Sequence, residues 1–455
     1  MPKLLLIIKH NKETMQQEET TLEDIAKSLN NSLMYNLSLT SKELFHSNFL
    51  AWLGRNESTK PFFVKVIKHL TFDSHNGING IDLSQYNEDW TVEREDKNFD
   101  LCIKRGEDYI LVIENKVKAI PREDQLDEYV KKIKLQNNTN NNTRFLLLTL
   151  YLKFRGYGPW MIKRYKDLAE AMELNLENNI PNGSYEKEVI EDYIRFIRNM
   201  NELAKKWREQ IETQEVFAVP FTDVNVTPGL KKLSDLYTKI QFSIYCEKMK
   251  KKLKDELINQ DFLHIEIFNS ESKAIKEMTI DDKKLYIDVH YSYASSSHQG
   301  ILDVAIPVDN LENPKIKYGT VKPDYFITIQ IEGKQYRHVL ESNNDKVINS
   351  KLYEIGISDF YTTPGHNSLH FFSNNPKNDP EAPSYGNKDI FEDKLYPVED
   401  KKIKENRPFN TYRNSKKQVT FIYQSRKINK NATVDKVLGN IVDDIRRIIT
   451  SLKIP

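Results

Sequence analysis

Asp100, Glu114 and Lys116 stand at a spacing that can do chemistry. Side chains alternate along a strand, so in the apolar run Tyr109–Val117 the residues Ile110, Val112, Glu114 and Lys116 fall on one face. Leu111, Ile113 and Val117 fall on the other, with Asn115 between them. A glutamate and a lysine two positions apart then project side by side from the end of an otherwise apolar strand. Burying such a pair without compensation costs several kcal/mol. Asp100 leads the preceding strand, and a hairpin brings it close to Glu114. Two carboxylates beside one ammonium form a hard oxygen-ligand site suited to Mg2+ or Mn2+. A cation there would neutralise charge on a phosphodiester and lower the pKa of a bound water. The lysine would orient that water or stabilise the developing charge. Phosphodiester hydrolysis is the chemistry such a site supports. The plainer reading makes Glu114 and Lys116 a salt-bridged pair at a sheet end and Asp100 a turn residue that starts its strand.

Those three residues need a frame. Asp89–Glu95 reads as a first strand, Phe99–Lys104 as a second and Tyr109–Val117 as a third. Arg105–Asp108, with Gly106, reads as the tight turn between the last two. Pro121 opens a helix that runs to about Lys134, and the Asn-rich tract Asn137–Asn142 reads as a loop. Phe145–Leu152 has the length and apolarity of a central strand. Upstream, Thr40–Leu53 reads as a buried helix, with Thr40 as N-cap and Glu43 in the capping-box position. Gly54 should end it, and a second helix should follow over Pro61–Leu70. Helix, three strands, helix and strand complete an α/β core.

Asp100, thirteen intervening residues and then Glu114-Asn115-Lys116 resembles the signature of the PD-(D/E)XK nuclease superfamily. The αβββαβ order is similar to that superfamily's restriction-endonuclease-like core. Glu43-Leu44-Phe45-His46-Ser47, followed by Leu50–Leu53, resembles the first helix of a bacterial subgroup. There the helix often supplies a glutamate, which implies Glu43 as an auxiliary metal ligand beside Asp100 and Glu114. His46 lies one turn along on the same side and is a candidate for substrate contact. Gln125-Leu126-Asp127-Glu128-Tyr129 resembles the Q-x-x-x-Y element of RecB-like members, which helps position DNA near the metal. Lys118 and Arg122 flank the site and are candidates to meet phosphates. Glu93 and Glu95 are possible extra ligands. Phe99 stands where a proline usually precedes the aspartate. The resemblance covers roughly Thr40 to Leu152. It implies a Mg2+- or Mn2+-dependent hydrolase of DNA, with RNA still open, working in genome or antiviral defence or in DNA processing. The alternative is a nucleic-acid-binding or protein-interaction scaffold that barely cleaves.

The remainder is less specific. A chain of 455 residues argues for two or three domains. The expected division is an N-terminal extension over 1–39, the nuclease-like domain over 40–210 and an α+β domain over 228–455. Tyr185–Gln210 and Leu230–Leu257 read as long helices, and 220–228 as a linker between them. Alternating stretches at His264–Phe268, Lys284–Tyr293, Ile301–Pro307, Tyr325–Ile331 and Val419–Tyr423 read as strands, closed by a helix over Val434–Leu452. Asn374–Pro408 reads as a long loop. A formal net charge of +1 means that nucleic acid would have to be held by a local basic patch. Tyr291–Tyr293 and the basic segment Lys401–Lys430 mix aromatics with positive charge, as single-strand binding surfaces do. The two cysteines, Cys102 and Cys246, make neither a disulfide framework nor a zinc set and read as core residues. His290 and His298 lack zinc-ligand spacing and read as structural or surface residues. No stretch approaches the ~20 apolar residues of a membrane span, so the chain reads as soluble and cytoplasmic. The C-terminal domain would select the substrate, bind a partner or a second copy of the chain, or restrain the nuclease.

Overall fold

The computed structural model describes residues 20–41, 43–74, 77–87, 89–117, 123–136, 143–150, 158–217, 219, 221, 228–259, 265–268, 285–294, 296–308, 325–342, 390–395, 410–413 and 419–451. Four helices come first: α1 (Leu22–Asn31), α2 (Leu33–Ser41), α3 (Glu43–Arg55) and α4 (Lys60–Leu70). Thr21 caps α1 by accepting the Asp24 N–H at 3.1 Å, and Asp24 accepts the Thr21 N–H in return at 3.1 Å. Gly54 does not end α3, which runs one residue further. The glycine serves packing instead, because a Cβ there would lie 2.6 Å from Val92 Cγ2.

The first sheet contains β1 (Thr91–Glu93), β2 (Leu101–Arg105), β3 (Asp108–Lys116), β4 (Arg144–Thr149) and β5 (Trp160–Arg164), in that spatial order. The first three strands pair antiparallel, while β3–β4 and β4–β5 are parallel. A parallel pair needs a crossover, and α5 (Glu123–Gln136) supplies it between β3 and β4. The expected α/β order is present, with β5 and α6 (Tyr165–Asn179) added beyond it. The long helix α7 (Tyr185–Glu212) follows.

Each face of this sheet is buried in its own core. Leu111, Ile113, Leu146 and Leu148 pack with α3, α4, α6 and α7. Val112, Phe145 and Leu147 pack with Leu126, Tyr129 and Ile133 of α5. The pairing register slips between Ile103 and Lys104, whose partners are Leu111 and Tyr109. Ile110 is therefore the extra residue of a β-bulge. It packs with the first core while Tyr109 joins the second. Strict alternation had put Ile110 on the Glu114 face, and the bulge reverses that assignment.

Beyond α7, residues Pro228–Leu233 form a 3-10 segment, Ser234–Leu253 form α8, and a π turn closes it over Lys254–Ile258. The early residues of α8, Leu236, Tyr237 and Ile240, belong to the first core. Tyr245, Cys246, Met249 and Leu253 belong to the core of a second sheet. That sheet comprises β6 (Ile265–Phe268), β7 (Leu285–Ala294), β8 (Gln299–Val308), β9 (Tyr325–Glu332), β10 (Gln335–Ser342), β11 (Phe391–Leu395), β12 (Asn410–Arg413) and β13 (Val419–Ile428). Its order is β11-β13-β10-β9-β8-β7-β6, with β12 also on β13. Pairing is antiparallel except between β6 and β7. Helix α9 (Val434–Ser451) packs its Val437, Ile441, Ile445 and Ile448 into the same core. Strand β11 falls inside the stretch Asn374–Pro408 that was expected to be loop. Phe391 draws it in, because the ring is buried and crosses Tyr336 with centroids 5.3 Å apart.

The other face of the second sheet carries one polar row. Pairing sets His290 opposite Asp303, Asp303 opposite Gln330, Gln330 opposite Arg337 and Arg337 opposite Ser425. All five are buried. His290 Nδ1 lies 2.9 Å from Asp288 Oδ2, and its Nε2 lies 3.1 Å from Asp303 Oδ2. Burial alone would lower the histidine's pKa. The two carboxylates outweigh it and push the value up to about 10, so the ring is a buried imidazolium. Among the described residues no helix is long and apolar enough to cross a membrane.

Candidate active site

The site forms where β2 begins and β3 ends. Leu101 pairs with Ile113, so Asp100 and Glu114 lie next to each other on adjacent strands. Asp100 Oδ2 accepts the backbone N–H of Asn115 at 2.7 Å. Glu114 is 1% exposed and Lys116 8%. The Lys116 ammonium stands 2.6 Å from Glu114 Oε1, and Gln125 Nε2 donates to the same oxygen at 3.2 Å. The exposed salt bridge of the plainer reading is therefore excluded, since this pair is buried at the end of a central strand. One turn along α5, the Tyr129 hydroxyl accepts from Gln125 Nε2 at 2.6 Å and donates to the Asn98 carbonyl at 2.9 Å. Burial, followed by the nearby Glu114 charge, raises the Tyr129 pKa, so the phenol stays a neutral donor. Helix α5 thus holds both the glutamate and the loop that presents Asp100. Gln125 and Tyr129 can do this because a helix sets residues four apart on one side.

The loop itself is strained. Glu95, Lys97 and Asn98 all have positive φ, at 57°, 54° and 72°, which non-glycine residues adopt at a cost of ~1–2 kcal/mol each. Phe99 anchors it. Its buried ring meets Tyr109 and Tyr129 edge-on, with centroids 5.7 and 5.0 Å away. A packed phenylalanine fixes the approach to Asp100 in place of the missing proline.

Sequence reasoning passed over Asn115. Its side chain points away from Glu114, is fully buried and donates from Nδ2 to Ser47 Oγ at 2.8 Å. Its Oδ1 accepts from the Tyr165 hydroxyl at 3.1 Å. The middle residue of Glu114-Asn115-Lys116 therefore ties β3 to α3 and α6. The signal was present as one amide on an otherwise apolar face, since such a group is buried only with partners.

Residues 33–168 match the family model of the PD-(D/E)XK nuclease superfamily. Over this segment the chain is similar to that superfamily. The matched segment runs from α2 into α6 and contains the whole first sheet. No curated protein and no solved structure matches the chain.

Within the matched segment, three expected residues fall wholly or by their side chains outside what the structure describes. Glu43 opens α3, but its side chain is not among the described ones, and Lys118 lies outside the described residues, as does Arg122. His46 is a correction. It lies on the buried side of α3, stacks on Phe196 with centroids 5.6 Å apart and meets the Tyr193 hydroxyl through Nδ1 at 2.8 Å. Burial lowers its pKa to about 3, so it is a neutral core residue with no path to substrate. The aromatic cluster around it explains the burial, because Phe45, Phe49, Tyr193 and Phe196 all pack there.

Glu93, proposed from sequence as an extra ligand, joins Asp96 and Cys102 in a second acidic group of the matched segment, ligand atoms within 4.8 Å. That group is already answered. Lys104 Nζ lies 3.3 Å from both carboxylates, and the Tyr109 hydroxyl donates to Asp96 at 2.6 Å. Burial, helped by Asp96 and Glu93, pushes the Cys102 thiol up to about 12, which removes the thiolate that a soft cation needs. Glu95 is exposed and points to solvent beside Arg94.

Proposed function

We propose that this protein is a metal-dependent nuclease that hydrolyses DNA phosphodiester bonds at the Asp100–Glu114–Lys116 site. The supporting observation is the convergence of two carboxylates and one buried ammonium at a single sheet end, with Asp100 bound to the backbone of the same strand that carries Glu114. Carboxylate oxygens on two adjacent strands suit a hard divalent cation, and Asp100 with Glu114 would hold Mg2+ or Mn2+. When bound, such a cation neutralises charge on the phosphodiester and makes a water more acidic.

The chain's own groups do the rest. Lys116 is held by Glu114, and its ammonium would orient the attacking water and meet charge developing on the phosphoryl oxygens. Gln125 fixes Glu114 through Oε1, and Tyr129 fixes the loop before Asp100, so neither carboxylate has to reorganise when substrate arrives. Glu43, at the start of α3, is the proposed auxiliary ligand. The test incubates linear, circular and single-stranded DNA, and RNA, with Mg2+, Mn2+ or EDTA, using wild type and Lys116→Ala. Metal-dependent cutting that the substitution removes supports the reading, and a cut circle assigns endonuclease action. Cutting at full rate by Lys116→Ala overturns the assignment of the site.

A further inference from the structure

Arg94 lies at the same end of the first sheet, on the α3 side. It follows directly on β1, whose Glu93 pairs with Cys102, two residues beyond Asp100. It opens the strained loop that leads to Asp100 through Glu95, Lys97 and Asn98. Arg94 Nη1 donates to Asn48 Oδ1 on α3. One residue earlier on that helix, Ser47 holds Asn115 of the catalytic strand. The arginine is thus fixed to the helix that supports the site.

The other edge of its guanidinium makes no hydrogen bond among the described residues. The Arg94 side chain is 18% exposed, and its nearest charged neighbour is Glu95, 69% exposed, with Oε1 at 3.6 Å from Nη2. That distance is an ion pair and too long for a hydrogen bond. Both Nε and Nη2 are buried and meet no hydrogen-bond acceptor among the described residues. A guanidinium carries five donors, and leaving buried ones without acceptors is costly. Nε and Nη2 together form the side-on fork, which matches two oxygens of one phosphate or carboxylate. Arg94 is thus ordered with one edge hydrogen-bonded to Asn48 and the bidentate edge without an acceptor among the described residues.

We propose that Arg94 is a substrate-positioning residue whose Nε/Nη2 edge grips one non-bridging phosphate beside the scissile bond. The proposal rests on the nuclease reading and deepens it. A basic contact of this kind answers a global charge of only +1, because substrate must then be held by individual cations near the site.

The test is a phosphate scan. Duplexes carrying a single neutral methylphosphonate at successive positions are bound in Ca2+ and cut in Mg2+, by wild type, Arg94→Gln and Arg94→Lys. Wild type should lose affinity ~10-fold at one position and Arg94→Gln should be indifferent there. The slope of log affinity against log salt should fall by about 1 in Arg94→Gln. Arg94→Lys keeps the charge without the fork, so it should keep the salt slope and raise KM while leaving kcat and melting temperature near wild type. If both proteins respond alike at every phosphate, or the salt slope is unchanged, Arg94 is a structural residue and the proposal fails while the nuclease reading stands. If wild type neither binds nor cuts any duplex, the nuclease reading fails and takes this proposal with it.

Discussion

The backbone N–H of Asn115 donates to Asp100 Oδ2 at 2.7 Å, while the side chain of Asn115 leaves by the opposite face of the strand to reach Ser47 and Tyr165. One residue therefore orients the Asp100 carboxylate and fastens β3 to two helices. Asn115→Ala keeps the backbone donor but leaves the buried Ser47 and Tyr165 hydroxyls short of a partner, at ~1–3 kcal/mol each. We expect folded Asn115→Ala protein with a lower urea midpoint and a kcat reduced ~10-fold or more, with KM changed less. An unchanged kcat in folded protein would sink the positioning role.

Glu114→Gln and Lys116→Ala separate chemistry from stability. Removing either charge takes the closest opposite charge from a buried partner, a loss of ~3–5 kcal/mol. Cleavage should fall at least ~100-fold in both, as expected for groups that meet the transition state. Single-turnover rates measured at a temperature where circular dichroism shows each variant folded make the comparison. A folded variant that cuts at wild-type rate refutes its residue's role.

Tyr129→Phe deletes one hydroxyl and keeps the ring that packs against Phe99. The Asn98 carbonyl and Gln125 lose their partner, a loss of ~1–2 kcal/mol. The loop before Asp100 should become more mobile. Hydrogen exchange at residues 95–100 should speed up, and kcat should drop more than affinity for DNA. Equal exchange in both proteins would assign the loop's order to Phe99 alone.

His46 sets an acid limit. Its folded pKa of about 3 lies below the ~6.5 of an exposed histidine. The unfolded chain then binds a proton that the native state refuses. Stability from this group is complete above pH 6.5 and falls as pH drops toward 3, by ~1.4 kcal/mol per unit. Urea unfolding at pH 7, 6 and 5 should show that slope in wild type and a shallower one in His46→Gln. Parallel lines would mean that the ring is protonated in the fold.

His290 does the reverse in the second sheet. Its folded pKa of about 10 is raised above the unfolded ~6.5 by Asp288 and Asp303. Its stabilisation is complete below pH 6.5 and disappears as pH rises through 10. The melting temperature should decline from pH 7 to 10 in wild type and decline less in His290→Gln, which starts lower at pH 7. An identical decline in both would place the titration elsewhere.

The sequence by itself determined four of the five strands of the first sheet and set Asp100, Glu114 and Lys116 at strand ends. Apolar runs bounded by turns have only one way to bury themselves, and a glutamate and lysine two apart at a strand end are legible wherever the strand is. Gln125 and Tyr129 were legible for the same reason, because helical spacing alone sets them on one side. Tertiary structure decided the rest. Local spacing placed His46 beside Glu43, but it could not show that Tyr193 and Phe196, some 150 residues on, enclose its ring. The bulge at Ile110 depends on a register between two strands, which no single strand encodes. Arg94 carried no signal as an individual residue and Asn115 only that of a lone amide on an apolar face, since their partners Ser47, Tyr165 and Asn48 lie on helices distant in sequence. The polar row from His290 to Ser425 is likewise invisible along the chain, because its members are neighbours only across paired strands. Periodicity fixes which way a side chain faces, whereas only packing fixes what it meets there.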